Sequence, residues 1–155
     1  MTTIAVTDTD IAADGMSFLG EVRHRSDCKK LLVLNGAIYA LAGAGALREP
    51  LIKWHQDGAD PKKIPECKDN GGWTLLVVKL DGLTIFSSDV PFPTKVIPPF
   101  AMGSGESFAY GAMEVGANAV DAVRAAAARD PYTGGEINYL IISETLTAPL
   151  MQAAE

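Results

Sequence analysis

The chain has 155 residues, of which 48% are hydrophobic and 21% are charged. This composition excludes a chain that is disordered throughout and is sufficient for the core of one ordinary domain. The 13 basic and 19 acidic residues give a net charge of −6, and residues 81–155 carry the acidic excess. No basic face is available for phosphates, so we predict neither a nucleic-acid partner nor an anionic membrane as a partner.

The N-terminal segment and the cysteines indicate a cytoplasmic chain. Asp8, Asp10 and Asp14 interrupt any apolar run that a secretion signal would need. No stretch approaches the roughly 20 apolar residues of a membrane helix. The two cysteines, Cys28 and Cys67, are far apart in the sequence, which is typical of a reducing compartment rather than of a disulfide framework.

The first half of the chain predicts two β-hairpins and one helix. The turns are Thr7–Asp10 and Asn35-Gly36, and the latter is a strong hairpin signal because both of its residues tolerate positive φ. Met16–Asp27 has no clean period and is predicted as a connection or an irregular strand. Gly58–Gly72 is polar and is predicted as a surface loop. The strands are Thr3–Val6, Ile11–Ala13, Leu31–Leu34 and Ala37–Ala42, and the helical face is Leu47, Leu51, Trp54 and His55.

The second half predicts a third hairpin, two helices and a final strand. Asp81-Gly82 separates two apolar runs, and the prolines of residues 89–99 keep that segment extended and out of a sheet centre. One helix begins near Ser104, and a second is capped by Asn118 and ends by Asp130-Pro131. Residues 143–155 have no clear pattern. The strands are Trp73–Leu80, Leu83–Ser88 and Ile137–Ile142.

The order of these elements predicts an α+β fold in one domain over residues 1–155, with residues 143–155 as a candidate loosely ordered tail. Consecutive hairpins require antiparallel sheets, and helices that are grouped rather than alternating argue against a doubly wound fold. Two stacked antiparallel sheets with helices outside, an αββα sandwich, bury every apolar face in the simplest way.

Three common kinds of functional site receive little support. The spacing of His24, His55 and the cysteines matches no zinc motif, so we expect no metal and no cofactor. Gly103-Ser104-Gly105 opens a helix but lacks a Walker lysine, which favours a tight helix entry over a nucleotide site. Neither histidine is well placed for a serine or cysteine triad, and His55 is expected to pack on its helix face.

The N-terminus offers a different chemistry. Removal of Met1 would expose Thr2, whose free α-amine would have a pKa of about 7.7–8.0. That amine can accept a proton from the hydroxyl of its own residue, which makes the threonine a nucleophile. Taken alone, the signal is weak, because a threonine here is also an ordinary strand residue.

A set of motifs, in order along residues 2–142, resembles proteasome β-subunits and the HslV peptidase. These belong to the N-terminal nucleophile hydrolases, whose fold is the αββα sandwich. The last motif is the most specific, and the chain is similar to a short, divergent member of the family. The motifs are Thr2-Thr3-Ile4, Ala12-Ala13-Asp14-Gly15, Lys29-Lys30, Ala42-Gly43, Gly103-Ser104-Gly105 and Arg129-Asp130-Pro131-Tyr132-Thr133-Gly134-Gly135.

The resemblance implies a role for each matching residue. Thr2 would be the nucleophile, Lys30 would lower its hydroxyl pKa, and Asp14 would hold Lys30. The Gly43 N–H would form the oxyanion hole. Ser104, Asp130 and Thr133 would orient the amine and a water. Candidate pocket residues at matching positions are Ser17, Phe18, Cys28, Leu32, Leu41 and Gly45.

Simpler interpretations of these residues remain open. Lys30 could be a solvated strand-end lysine with Lys29 in its place, and Asp14 could be a turn residue. The resemblance implies a peptide or amide substrate and a homo-oligomer, and leaves an ATPase partner unidentified. The polar Gly58–Gly72 segment stands where the family has a second helix. If Met1 is retained, the alternative is a silent self-assembling scaffold; a small-molecule amidase is the third hypothesis.

Overall fold

The computed structural model describes residues 2–24, 28–66 and 71–152, so Met1 and Cys67 lie outside the described residues. The strands are β1 Thr3–Val6, β2 Asp10–Ala13, β3 Ser17–Leu19, β4 Val22–His24, β5 Leu31–Leu34, β6 Ala37–Ala42, β7 Thr74–Lys79, β8 Gly82–Ser87, β9 Thr94–Val96, β10 Phe100–Gly103 and β11 Asn138–Ile141. The helices are α1 Arg48–Gln56, α2 Glu106–Glu114, α3 Ala119–Ala127 and α4 Ile142–Gln152.

The first sheet is antiparallel, with the strand order β10-β1-β2-β11. Thr3 pairs with Gly103, and Ala13 pairs with both Ile4 and Asn138. This register places the start of β1 beside the ends of β2 and β10 and the start of β11. The chain segments that precede or follow these strand ends therefore meet at one edge of the sheet.

The second sheet is an antiparallel meander of β5, β6, β7, β8 and β9 in chain order. Its first turn is the predicted one, because Asn35 and Gly36 have φ values of 49° and 74°, as the tight hairpin turn requires. Since Leu31 pairs with Ala40, the start of β5 lies close to the end of β6. Lys30 immediately precedes β5, and Gly43 immediately follows β6, so these two residues lie at the same edge of the sheet.

The two sheets pack face to face over the main apolar core. Alternate residues of the strands point into this core, which is the pattern that β-strand geometry imposes on a buried face. Full burial of each large apolar side chain contributes about 1.5–3 kcal/mol before conformational entropy is subtracted. The buried members include Ile4, Val6, Ile11, Ile38, Leu76, Val78 and Met102.

Helices cover the two outer faces. Trp54 of α1 packs edge-on against Trp73 and Phe86 at ring distances of 6.3 and 5.4 Å, which covers the second sheet. Helices α2 and α3 cover the first sheet with small buried residues such as Ala109. The Asn118 side chain caps α3 by accepting from the Asp121 N–H at 2.8 Å. The layers are thus helix, sheet, sheet, helix, as the sequence predicts.

The structure contains elements that the sequence pattern does not predict. Strands β3 and β4 form a small hairpin within Met16–Asp27, and β9 pairs with β8 at the edge of the second sheet. Phe100–Gly103, predicted only as a short apolar run, is strand β10. Helix α4 occupies most of the predicted tail, with Ile142 and Leu146 in the main core. Among the described residues, no helix has the length and apolarity to cross a bilayer.

Candidate active site

A buried ion pair joins the two sheets at the edge where the strand ends meet. The Lys30 Nζ lies 2.8 Å from the Asp14 Oδ1, and the side chains are 7% and 0% exposed. Asp14 also accepts backbone N–H groups from Thr3 at 2.9 Å and from Met16 and Gly134 at 3.2 Å. Four donors therefore hold this carboxylate in one orientation, and Lys30 is not the solvated lysine of the simpler interpretation.

Thr2 is fixed beside this pair by the neighbouring strand. Thr2 is 4% exposed, and its carbonyl oxygen accepts the Ser104 N–H at 2.8 Å. Gly103 has a φ of 103°, and a Cβ there would lie 1.7 Å from the Thr2 oxygen. Only glycine allows this close approach of the two backbones. The motif glycine before Ser104 is thus explained by the placement of Thr2 rather than by a helix entry.

Asp130 is the second buried carboxylate of the site. It accepts the Ser104 hydroxyl at 2.6 Å, the Thr133 hydroxyl at 2.5 Å and the Tyr132 N–H at 3.1 Å. Burial alone would raise its pKa, but these hydrogen bonds to the charged form outweigh burial and lower the pKa below its ordinary value. Asp130 is therefore an ionised acceptor rather than a proton donor at neutral pH.

Thr3 connects the two carboxylates, and the sequence analysis gives it no role. Its N–H binds Asp14, and its hydroxyl lies 2.6 Å from the Thr133 hydroxyl and accepts the Gly105 N–H at 3.1 Å. Because Thr133 donates its one hydroxyl hydrogen to Asp130, the Thr3 hydroxyl must donate to Thr133. The hydrogen bonds thus run in one direction, from Gly105 through Thr3 and Thr133 to Asp130.

The signal that could have identified Thr3 is its position in the sequence. A strand residue next to the nucleophile must point to the opposite face of the strand. The face opposite to Thr2 is covered by α2 and α3, where a buried hydroxyl needs partners. What the sequence does not show is that the partners would be Gly105 and Thr133, which lie more than one hundred residues away.

Gly43 immediately follows β6. Its φ is 133°, and a Cβ there would lie 2.9 Å from the Gly72 carbonyl oxygen and 3.0 Å from the Trp73 Cα. Any larger residue would be strained and would have to displace backbone. The glycine therefore allows the end of β6 to lie directly against the backbone of Gly72 and Trp73.

A cleft of about 790 Å³ opens in front of Thr2. Besides Thr2, Lys30 and Gly43, it contains five of the six candidate pocket residues. The exception is Leu32, which is 36% exposed and pairs with Tyr39 in the second sheet. The lining residues are Thr2, Met16, Ser17, Phe18, Leu19, Gly20, Cys28, Lys30, Leu41, Gly43, Ala44, Gly45, Ala46 and Arg48.

The histidines lie apart from this cleft. His24 is exposed at the end of β4, and the His55 Nδ1 lies 3.0 Å from the Tyr39 hydroxyl oxygen on the helix-covered face of the second sheet. Burial and, secondarily, the charge of Lys79 lower the pKa of His55. In the described ranges, no three His, Cys, Asp or Glu side chains are grouped as metal ligands would be.

Comparison with known proteins shows what this architecture is similar to. No protein-family model matches the chain, and no curated protein matches it. Thiobacillus denitrificans BPH, solved in complex with epoxomicin, superimposes with a TM-score of 0.69 at 19% identity, over 90% of this chain and 96% of that chain. Eukaryotic HslV from Trypanosoma brucei superimposes with a TM-score of 0.69 at 16% identity, over 90% and 97%.

The chain has the fold of HslV. The predicted αββα sandwich is thereby confirmed, and so is the resemblance to HslV at the level of the fold. Thr2, Asp14 and Lys30 converge because each stands next to a strand end on the same side of the sandwich. Asp130 lies in the segment between α3 and β11 and joins the site through Ser104, which follows β10. The roles of individual residues remain predictions.

Proposed function

We propose that the chain is a threonine-type N-terminal nucleophile hydrolase that cleaves peptide bonds through an acyl-enzyme on Thr2 after removal of Met1. The observation that carries the proposal is a buried lysine, Lys30, which lines the same cleft as Thr2 and is held by Asp14. A buried ammonium is costly unless it is paired. Its placement beside a threonine therefore supports a catalytic use of its charge.

In the first step, the Thr2 Oγ would attack the carbonyl carbon of the scissile bond. Its proton would pass to the α-amine of Thr2, while the positive charge of Lys30 favours the ionised oxygen. The negative charge that develops on the substrate oxygen would be stabilised by the Gly43 N–H. The C–N bond then breaks, the leaving nitrogen takes the proton from the α-amine, and an ester remains on Thr2.

In the second step, a water would hydrolyse the ester. The α-amine of Thr2 would take a proton from the water as the water oxygen attacks, and would return it to the Thr2 Oγ as that oxygen leaves. The products are a carboxylic acid and the original threonine. The ionised Asp130, with the Ser104 and Thr133 hydroxyls bonded to it, supports the orientation of the amine and the water.

Labelling by a peptide electrophile tests the nucleophile. The mature protein, with loss of Met1 verified by intact mass, should form a covalent adduct with an epoxyketone peptide at Thr2. Thr2→Ser keeps a hydroxyl and an α-amine and should still be labelled, whereas Thr2→Ala should not. Labelling of Thr2→Ala at the wild-type rate would overturn the assignment. A native mass that retains Met1 would favour the silent scaffold instead.

The form of the cleft favours peptides over small amides. It extends from Thr2 past the β3–β4 hairpin to Arg48 and has apolar walls at Met16, Phe18 and Leu41. The volume of the cleft lies in the range of small-ligand pockets, so it is the several apolar walls, each able to receive a side chain, that favour a peptide. Hydrolysis of small amides together with failure to cleave any peptide would support the amidase hypothesis.

Self-association is the second part of the proposal. Leu19 of β3 and Val22 of β4 are 77% and 71% exposed and pair directly with each other, so they form a contiguous apolar patch. Ile97 and Val115 are 83% and 87% exposed. A contiguous exposed apolar patch is typical of a protein–protein interface. Sedimentation velocity should therefore give a mass larger than one chain, and a monomer at micromolar concentration would contradict this part.

A further inference from the structure

The cleft contains a second cation, Arg48, which the proposed reaction does not use. Arg48 is the first residue of α1 and lines the cleft together with Thr2 and Lys30. Its Nη1 donates to the Lys29 carbonyl oxygen at 2.5 Å, which fixes the side chain against the start of β5. The guanidinium is thus held in position at the cleft wall rather than free to move in solvent.

The two cations of the cleft differ in how their charge is balanced. Lys30 is paired with Asp14, whereas no carboxylate among residues 2–24, 28–66 and 71–152 lies within ion-pair distance of Arg48. Among the described residues, no Asp or Glu lines the cleft either. In a chain of net charge −6, this cleft is therefore a locally positive region.

The position of Arg48 in its helix is not explained by helix stability. A positive charge is unfavourable at a helix N-terminus, because the macrodipole is positive there. A guanidinium also has five N–H donors, of which one is used by Lys29. Those that remain can form paired, charge-assisted hydrogen bonds to a carboxylate, which is the geometry that arginine fits best.

We infer that Arg48 forms a carboxylate-binding subsite at its end of the cleft, which selects peptides with an acidic group at that position. The inference rests on the proposed function only in taking the ligand to be a peptide. The carboxylate is either a Glu or Asp side chain or the C-terminus of the peptide. Both present the same planar pair of oxygens, and the peptides of the test distinguish them.

Peptide binding to the Thr2→Ala protein tests the inference without turnover. The probes are fluorescent hexapeptides with Glu or Gln scanned through each position, each with a free or an amidated C-terminus. If the bound carboxylate is a side chain, the Glu peptide should bind about tenfold more tightly than the Gln peptide at one position. If it is the C-terminus, every peptide with a free C-terminus should bind about tenfold more tightly than its amidated form. A hydrogen-bonded ion pair provides a difference of this size. Adding Arg48→Gln should remove this preference.

Lys53→Gln is the matched control. It removes the same charge from the same helix, but Lys53 is 77% exposed, pairs with Asp57 and does not line the cleft. This control should keep the full preference for the carboxylate. Arg48→Glu provides a second test, since it should reverse the preference in favour of peptides with Lys in place of Glu.

The outcomes separate this inference from the proposed reaction. Three outcomes would overturn the carboxylate subsite. They are equal affinity for charged and neutral peptides, no binding of either kind of peptide, and a preference for the carboxylate that survives Arg48→Gln. Labelling of Thr2→Ala at the wild-type rate overturns the reaction while leaving the subsite untouched, because peptide affinity is measured without a nucleophile.

Discussion

Two regions of the molecule treat the charge of their titratable side chains in opposite ways. At the site edge, Asp130 accepts three hydrogen bonds that lower its pKa and keep it ionised. Beneath α1, burial lowers the pKa of His55 and raises that of Tyr39, so both remain neutral. The first region stabilises charge with donors, whereas the second suppresses it with aromatic packing against Phe86.

This difference explains why the proposed reaction would take place at the site edge. Hydrolysis of an amide requires charges to develop and disappear, so it needs a surrounding that already contains oriented donors. The aromatic cluster under α1 provides packing energy, and its Tyr39 and His55 hydrogen-bond to each other rather than to a charged group. Burial of a titratable group is therefore not a sign of function by itself; what matters is which form of the group its neighbours stabilise.

The largest effect is expected at the ion pair. Lys30→Met leaves the Asp14 charge buried without its partner, which should lower the free energy of unfolding by about 3–5 kcal/mol and abolish labelling of Thr2. Chemical denaturation and labelling measure the two effects. Lys53→Met removes an exposed pair and should cost less than about 1 kcal/mol with labelling intact. Similar losses of stability and of labelling in Lys30→Met and Lys53→Met would contradict the expected difference between the buried and the exposed ion pair.

A smaller effect is expected at Thr3. Thr3→Val keeps the shape but leaves the Gly105 N–H without its acceptor, at a cost of about 1–3 kcal/mol. It also removes the donor to Thr133, so the pH profile of Thr2 labelling should shift, which a purely structural loss would not produce. Thr3→Ser retains the hydroxyl and should restore the wild-type profile. An unchanged profile in Thr3→Val would show that the hydrogen-bond chain does not affect the reaction.

The smallest effect is expected under α1. Because the folded pKa of His55 lies below its unfolded value of about 6.5, the unfolded chain binds more protons, and stability falls as pH drops below that value. His55→Gln should reduce this dependence in melting temperatures between pH 8 and pH 5. His24→Gln, at an exposed position, is the control and should leave it unchanged. Identical curves of melting temperature against pH for His55→Gln and His24→Gln would refute the assignment of this pH dependence to His55.

Local signals in the sequence were sufficient for most of the fold. Asn35-Gly36 and the Asn118 cap are correct because their chemistry is complete within four residues. Strand β10 was missed because a short apolar run becomes a strand only through its pairing with β1, about one hundred residues away. Helix α4 was missed because its weak pattern gains stability from the packing of Ile142 and Leu146 in the core.

The candidate site was only partly predictable from the sequence. The resemblance to the proteasome β-subunit and HslV motifs implies Asp14, Lys30 and Asp130 as site residues, and the structure brings them to one edge. The hydroxyl of Thr3 and the guanidinium of Arg48 were missed, because their importance depends on neighbours contributed by distant segments. Leu32 was assigned to the pocket by position alone, although it pairs with Tyr39 rather than lining the cleft.

The tight backbone contacts at Gly103 and Gly105 have a practical consequence for protein engineering. A Cβ at Gly105 would lie 2.3 Å from the Thr3 Oγ1, and one at Gly103 would meet the Thr2 oxygen. Combinatorial libraries that aim at new cleavage preferences should leave both positions untouched. Diversity belongs instead at Leu19 of the β3–β4 hairpin, which borders the cleft and is exposed, whereas the neighbouring Gly20 has a φ of 61° that strains any side chain.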